Sequence, residues 1–448
     1  MRGARIKLLS VSGQRSVVSP IPNPQTQQMS PMDTTPDISA AVRRLYDTFP
    51  FPPDPLSDEP PPGYNWRWSW PDAYNFCTGQ KPPKLDIRIL DAGCGTGSST
   101  DYLIHLNPEA SVTAIDLSEG ALKVAQERCR RSGAREADFR HLSLYDAAEL
   151  EGEFDLINCV GVLHHLPDPV RGIQALAAKL AEGGLMHIFV YAELGRWEIQ
   201  LMQRAIALLQ GNQKGDYPDG VKLGRQIFAS LPENNRLVKY EKQRWAGENQ
   251  RDECFADMYV HPQEIDYNIE TLFELIDASG LEFIGFSNPG YWQLERLLGK
   301  APELIERARG LTERELYRLI ELLDTEISHY EFFLGKKPVN KIDWSDDKTL
   351  LAAIPELSGC MHGWPSKQVF DCNYQLVNLS NAEFEFLQGC VPPPAPPYQG
   401  GEKEGNSPLP GKGEKTVGEI LADVEMGLDG VRSILSKQLI LLTPCERI

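Results

Sequence analysis

The stretch Ile89-Leu90-Asp91-Ala92-Gly93-Cys94-Gly95-Thr96-Gly97 decides the fold. An apolar run of strand length ends in a turn with glycine at every second position, and Ser98–His105 follows with helical spacing. Glycine in such a turn permits positive φ and lets a ligand approach the backbone closely. The helix that starts there points its unpaired N–H groups at whatever the turn holds. Several nucleotide-binding folds share the bare Gly-x-Gly pattern, so the neighbouring residues must choose between them. A dinucleotide fingerprint requires Gly or Ala where Ser98 stands, and the sequence contains no Gly-x-x-x-x-Gly-Lys-Ser/Thr loop.

Outward from the turn, strands and helices alternate. Ser111–Ile115 reads as a second strand, Glu119–Ser132 as a helix, Ala137–Leu142 as a third strand and Phe154–Cys159 as a fourth. Val170–Ala181 reads as a helix and Gly184–Tyr191 as a fifth strand behind a glycine turn. This rhythm predicts a mainly parallel α/β sheet with helices on both faces. Asp116 closes the second strand nineteen residues after Gly97, where a carboxylate can accept both hydroxyls of a ribose.

The full turn is Asp-x-Gly-x-Gly-x-Gly, with the acid two residues before the first glycine. The fourth strand continues as Asn158-Cys159-Val160-Gly161-Val162-Leu163-His164-His165-Leu166-Pro167-Asp168-Pro169. Together these marks, over residues 85–192, resemble the motifs of class I S-adenosylmethionine-dependent methyltransferases. The resemblance implies a seven-stranded, mostly parallel Rossmann-like sheet, S-adenosyl-L-methionine as cofactor, and transfer of its methyl group to a nucleophile. It places Asp91 and Gly93 at the methionine end, Gly95 and Gly97 in the shape of the turn, Asp116 on the ribose and Leu144 against adenine. Ala92, Cys94, Leu117, Ser143 and Val160 complete the implied cofactor set. Ser143 departs from the commoner Asp of that motif.

Composition narrows the partners. The 63 acidic and 45 basic residues give a formal charge of −18, which repels nucleic acid and serves solubility. Apolar runs stay well short of the roughly 18 residues a membrane helix needs, so no transmembrane span is expected. Nine cysteines, an odd number without a Cys-x-x-Cys pair, point to a reducing compartment and a cytoplasmic protein. Cys360, His362, Cys372 and Cys390 match no zinc-ligand spacing, and no metal is expected.

The segments read as follows. Residues 1–37 form a leader rich in Arg, Ser, Gln and Pro, expected to be disordered. It is either a targeting peptide or a stretch ahead of a true start at Met29 or Met32. Residues 38–84 are a wrapping segment: a short amphipathic helix, then proline-dense Phe49–Pro55 and Glu59–Gly63. Tyr64, Trp66, Trp68 and Trp70 follow, either packing on the core or lining a pocket. Residues 85–192 are the cofactor-binding core and 193–260 a helical insertion. Residues 261–336 complete the sheet, with a helix over His261–Gly280, a strand over Leu281–Ser287, a charged helical region Ala301–Ile327 and a last strand His329–Leu334. Residues 341–448 form a small α+β unit carrying a disordered insertion at 392–415. Its Phe384–Leu387, Thr416–Leu421 and Leu439–Leu442 are similar to winged-helix modules of peptide-chaperone domains and of some bacterial protein-lysine methyltransferases. That likeness implies a protein or peptide acceptor.

In open α/β sheets the acceptor site is built from additions at the carboxyl ends of the strands. His164 and His165, at the end of the fourth strand, either pack there or act as a base. Tyr259 and His261 are further catalytic candidates, and Tyr46, Tyr64, Asp257, Tyr291 and Trp292 are polar or aromatic positions in or beside the additions. Three functions fit: a methyltransferase for a small molecule, which leads; a protein or peptide methyltransferase using the C-terminal unit; and a silent binder of S-adenosylmethionine that regulates a partner.

Overall fold

Apolar strands separated by amphipathic helices bury both sheet faces only when the helices wind over the two sides. The computed structural model, which describes residues 38–213, 215–391 and 415–444, has this arrangement. Helices α1 (Ile38–Thr48) and α2 (Trp70–Thr78) precede β1 (Arg88–Ala92), α3 (Ser98–Leu106), β2 (Ser111–Asp116), α4 (Glu119–Ser132) and β3 (Asp138–His141). Then come β4 (Phe154–Val160), α5 (Pro169–Lys179) and β5 (Leu180–Tyr191). After an insertion, α10 (Ile269–Ser279), β6 (Glu282–Phe286) and β7 (His329–Gly335) finish a seven-stranded sheet of order β3-β2-β1-β4-β5-β7-β6. The first five strands run parallel, and β7 is antiparallel to both neighbours. The chain reverses its winding between β1 and β4, which opens a crevice at their carboxyl ends.

Local chemistry sets the boundaries. Ser118 caps α4 through the N–H of Ala121, and Gly133 ends it in the left-handed region at φ 75°. Strand β5 starts at Leu180, earlier than the glycine turn suggests. Gly183 takes positive φ inside it, and the pairing with β4 shifts register between Phe154 and Leu156. The helix expected from His261 begins only at Ile269, where Asn268 and Thr271 form a capping box. Residues 261–268 instead run beside the end of β5: Tyr267 N–H donates to Tyr191 O at 2.9 Å, and Glu193 N–H to Tyr267 O at 2.7 Å. Pro262 and the pull of that edge outweigh the helical spacing. The charged region carries two helices, α12 (Pro302–Ala308) and α13 (Glu313–Leu323), beyond the short α11 (Glu295–Leu298).

The insertion comprises α6 (Trp197–Gln210), α7 (Tyr217–Ser230), α8 (Arg236–Arg244) and α9 (Asp252–Tyr259). They share a core of Ile199, Met202, Ile206, Val221 and Phe255 with Leu45 of α1. Trp66 is fully buried against Phe76 and Phe333, centroids 4.8 and 5.8 Å away, so it belongs to the sheet's packing. Past β7, helices α14 (Asp347–Ala352), α15 (Asn381–Gly389), α16 (Val417–Leu421) and α17 (Leu428–Ser436) surround two small antiparallel sheets. These pair β8 (Ile354–Leu357) with β11 (Ile440–Thr443), and β9 (Gln368–Phe370) with β10 (Leu376–Asn378). This unit docks on α2, where Ser358 donates to Asp72 at 2.8 Å and Lys81 pairs with Glu356 at 2.8 Å. Residues 1–37 and 392–414 lie outside the described residues. Among those described, no helix is long and apolar enough to cross a membrane.

Candidate active site

The crevice between β1 and β4 opens into a cavity of about 780 Å³, roofed by α1 and the insertion. That lies in the range of small-molecule sites. Gly93, Cys94, Gly95, Asp116, Leu117, Ser143, Leu144 and Val160 stand on its wall. Leu142, Tyr145 and Leu166 add an apolar slot beside Leu144. Oδ1 of Asp116 accepts the Ser118 N–H and Oδ2 the Gly95 N–H, both at 2.8 Å. Each oxygen keeps a lone pair for a ribose hydroxyl. Burial raises the Asp116 carboxyl, and the N–H groups of Ser118, Gly95 and Leu117 oppose that rise.

Asp91, Ala92 and Gly97 stand behind the wall. Asp91 is only 1% exposed: its Oδ2 accepts from Ser99 and Thr100 at 2.8 and 2.6 Å, and its Oδ1 from Asn158 at 2.8 Å. It therefore ties the first turn of α3 to β4 rather than reaching into the cavity. Gly97 lets α3 approach α4, since a Cβ there would lie 2.7 Å from that of Ala125. The wrapping segment closes over the turn. Phe51 O accepts the Thr96 N–H at 3.1 Å, Pro52 O accepts the Thr96 hydroxyl at 2.6 Å, and Arg128 holds the carbonyls of Asp54 and Pro55.

The far half of the cavity carries Tyr46, His165, Tyr191, Arg196, Trp245, Asp257 and His329. One residue sets the histidine tautomers here. Nδ1 of His165 donates to Gln263 O at 2.9 Å, and the Gln263 N–H donates to Nδ1 of His261 at 3.1 Å. His165 thus keeps its Nε2 lone pair free, whereas neutral His261 carries its proton on Nε2. Burial holds both rings below the usual imidazole range, with Asp257 and Glu264 partly opposing this at His165. His164 lies under the Tyr191 ring at 3.9 Å with neither nitrogen bonded, and burial keeps it neutral. Tyr259 bonds Glu241 inside the roof. Of the four catalytic candidates read from the sequence, His165 is the one on the cavity wall, with His261 stacked behind it at 3.7 Å.

His165, Asp257 and His261 bring one ligand-type atom each within 4.8 Å of one another. Rings that share an ion radiate from it, but these two lie face to face at 24°. The lone pair of His261 Nδ1 is already engaged, so its Nε2 cannot ligate as a neutral imidazole. The donor set therefore suits proton chemistry better than a metal.

Arg196 is buried under the roof, 3.0 Å from Glu264 and 3.5 Å from Asp266, with its guanidinium 3.4 Å over the Tyr191 ring. Arg244, also on the wall, pairs with the exposed Glu326 at 2.9 Å. Arg196, Trp245 and His329 were invisible as site residues in the sequence. They converge from three separate elements with no common spacing, and a basic residue in a helical insertion looks like a solvated one.

A Synechococcus protein described as "Uncharacterized protein syc1184_c" is 57% identical over 410 residues, 91% of this chain and 94% of its own, and the two belong to one family. Residues 90–186 match the family model for a methyltransferase domain. A ubiquinone biosynthesis O-methyltransferase of Xanthomonas euvesicatoria is 41% identical over 102 residues, 22% of this chain and 41% of that enzyme. The chain is a class I S-adenosylmethionine-dependent methyltransferase. The methyltransferase shares its fold with PKMT2 from Rickettsia typhi, at a TM-score of 0.56 and 15% identity over 86% of this chain and 78% of that one. The complex of PKMT2 with AdoHcy aligns at 0.52, with 16% identity over 67% and 59%.

Proposed function

We propose that the methyltransferase acts on a small, mostly apolar molecule and methylates a hydroxyl of it, with His165 accepting the proton. The observation that carries this reading is the Gln263 carbonyl on Nδ1 of His165, which leaves Nε2 unprotonated on the cavity wall. S-adenosylmethionine bound at the glycine turn supplies an electrophilic methyl group on a positively charged sulfur. The chain's part is to orient the acceptor, exclude water and take one proton. Asp116 is suited to fix the ribose, the slot around Leu144 the adenine, and the roof and α1 cover the reacting end.

The 41% identity of the core to O-methyltransferases supports oxygen as the methylated atom. The described cavity wall draws on residues 39–329 and on nothing from the C-terminal unit, which favours a small acceptor over a peptide. In this reading residues 38–84 are the lid and 193–260 the acceptor roof. The eight described cysteines are free, in keeping with a cytoplasmic setting. The test is turnover on a panel of phenols and alcohols, scored by S-adenosylhomocysteine release, for wild type and His165→Gln. The variant is expected to lose about 100-fold or more while binding S-adenosylmethionine normally in calorimetry. Equal rates would remove His165 from the chemistry.

A further inference from the structure

We infer that Asp257 is a positioning residue for proton transfer: held by Tyr46 of the N-terminal helix, its carboxylate faces His165 and stabilises the imidazolium formed there. The inference rests on His165 as the proton acceptor and adds the group that makes the acceptance favourable. Asp257 is buried on α9, and its Oδ1 accepts the Tyr46 hydroxyl at 2.9 Å across 211 residues of sequence. Oδ2 lies 3.5 Å from the Tyr191 hydroxyl on β5. Three elements thus fix one carboxylate within 4.8 Å of the His165 ring.

Because Nδ1 is already spent on Gln263, Asp257 does not orient the ring. Its contribution is charge. As the acceptor O–H bond breaks, the proton goes to Nε2 and the oxygen bonds the methyl carbon. The C–S electron pair stays on sulfur, so a positive charge leaves the sulfur and appears on His165. A buried imidazolium needs a counter-charge. Around it stand Asp257, Glu264, Arg196, His164, His261, Tyr191 and Tyr46. The histidines are neutral, and Arg196 is offset by Glu264. Burial raises the Asp257 carboxyl, and His165 and the Tyr46 hydroxyl oppose that rise, so its ionised form is the counter-charge available to the ring. It is also the leading charge that favours protonated His165 against burial. The seat of Tyr46 is shared, since Asp47 accepts the Ser118 hydroxyl at 2.6 Å beside the ribose-facing Asp116. One turn of α1 touches both halves of the site.

The experiment is imidazole ¹⁵N NMR on the full chain saturated with S-adenosylhomocysteine, which needs no acceptor. The His165 signals are assigned by their loss in His165→Gln. Wild type should show the Nδ1–H tautomer. In Asp257→Asn that tautomer should persist while the His165 pKa falls by about one unit or more. Tyr46→Phe should move it in the same direction by less, and covers the case in which Asp257→Asn does not fold. A pKa that stays put or rises in both variants overturns the role of Asp257. A tautomer that flips in Asp257→Asn overturns it too, because the carboxylate would then be orienting the ring. Activity retained by His165→Gln would instead sink the base assignment, an outcome the NMR result does not share.

Discussion

Oδ2 of Asp116 accepts the backbone N–H of Gly95 at 2.8 Å, so the carboxylate proposed to hold a ribose also fixes the glycine turn. Asp116→Ala removes both functions. Hydrogen bonds to a charged group are worth about 1.5–3 kcal/mol each, so S-adenosylmethionine and S-adenosylhomocysteine should bind at least about tenfold more weakly. Calorimetry with both ligands, and with NADH as a control, reads this directly. Unchanged affinity in the variant would place the ribose elsewhere.

Two glycines of the site should answer differently to alanine. At Gly95, with φ +52°, a Cβ would come within 2.4 Å of Phe51 O, so the wrapping segment must shift. Gly95→Ala is expected to lower the melting temperature and to weaken S-adenosylhomocysteine binding together. Gly161, at φ +77° on the cavity wall, has nothing within 4 Å of an added Cβ. Gly161→Ala should cost about 1–2 kcal/mol of backbone strain and act on ligand affinity through the methyl group it adds beside the cofactor. Denaturant midpoints and calorimetry on the pair separate the two effects.

The contrast explains what the sequence could reveal. Gly93, Gly95 and Asp116 sit on one strand–turn–helix–strand unit, where spacing along the chain is spacing in space, and the parallel order of β1 to β5 follows from the same alternation. Asp91 shows the limit of that logic. The motif places it at the ligand, whereas Ser99, Thr100 and Asn158 occupy its oxygens behind the turn. The far half of the cavity was less legible, because Tyr46, His165, Arg196 and Asp257 meet only after the insertion folds back over β5. The non-helical path of 261–268 was hidden for a similar reason: its partner, the edge of β5, is tertiary. Gln263 acts through its backbone, which no side-chain pattern encodes.

Asp266 gives a stability signature. Burial, then the neighbouring Glu264, push its carboxyl up to about 8. A folded-state pKa above the unfolded value of about 3.9 means the native state holds a proton that the unfolded chain has released. Its stabilising effect is complete below about pH 4 and is lost as pH rises toward 8. Urea midpoints should therefore fall between pH 5 and 8 in wild type. Asp266→Asn should flatten that slope and stand closer to, or above, wild type at the alkaline end. A slope identical in both proteins would assign the loss to another group.

Asn158 joins the cofactor turn to the wrapping segment. Its Nδ2 donates to Asp91 at 2.8 Å, while its Oδ1 accepts from Trp68 Nε1 at 3.0 Å and from His187 Nδ1 at 2.9 Å. Asn158→Leu would leave Asp91 without that donor and strand the N–H of buried His187 and of half-buried Trp68, costing about 2–4 kcal/mol. Because Trp68 lies on the cavity wall, ligand affinity should fall as well. Asn158→Asp is the sharper probe, since it sets a carboxylate oxygen where the amide faced Asp91. Two buried carboxylates at that distance share a proton, which raises the folded-state pKa of the pair. The sign follows: Asn158→Asp should be nearly as stable as wild type near pH 4 and lose stability steeply as pH rises to 7. Thermal melts across that range check it, and a deficit independent of pH would mean that Asn158 and Asp91 do not meet.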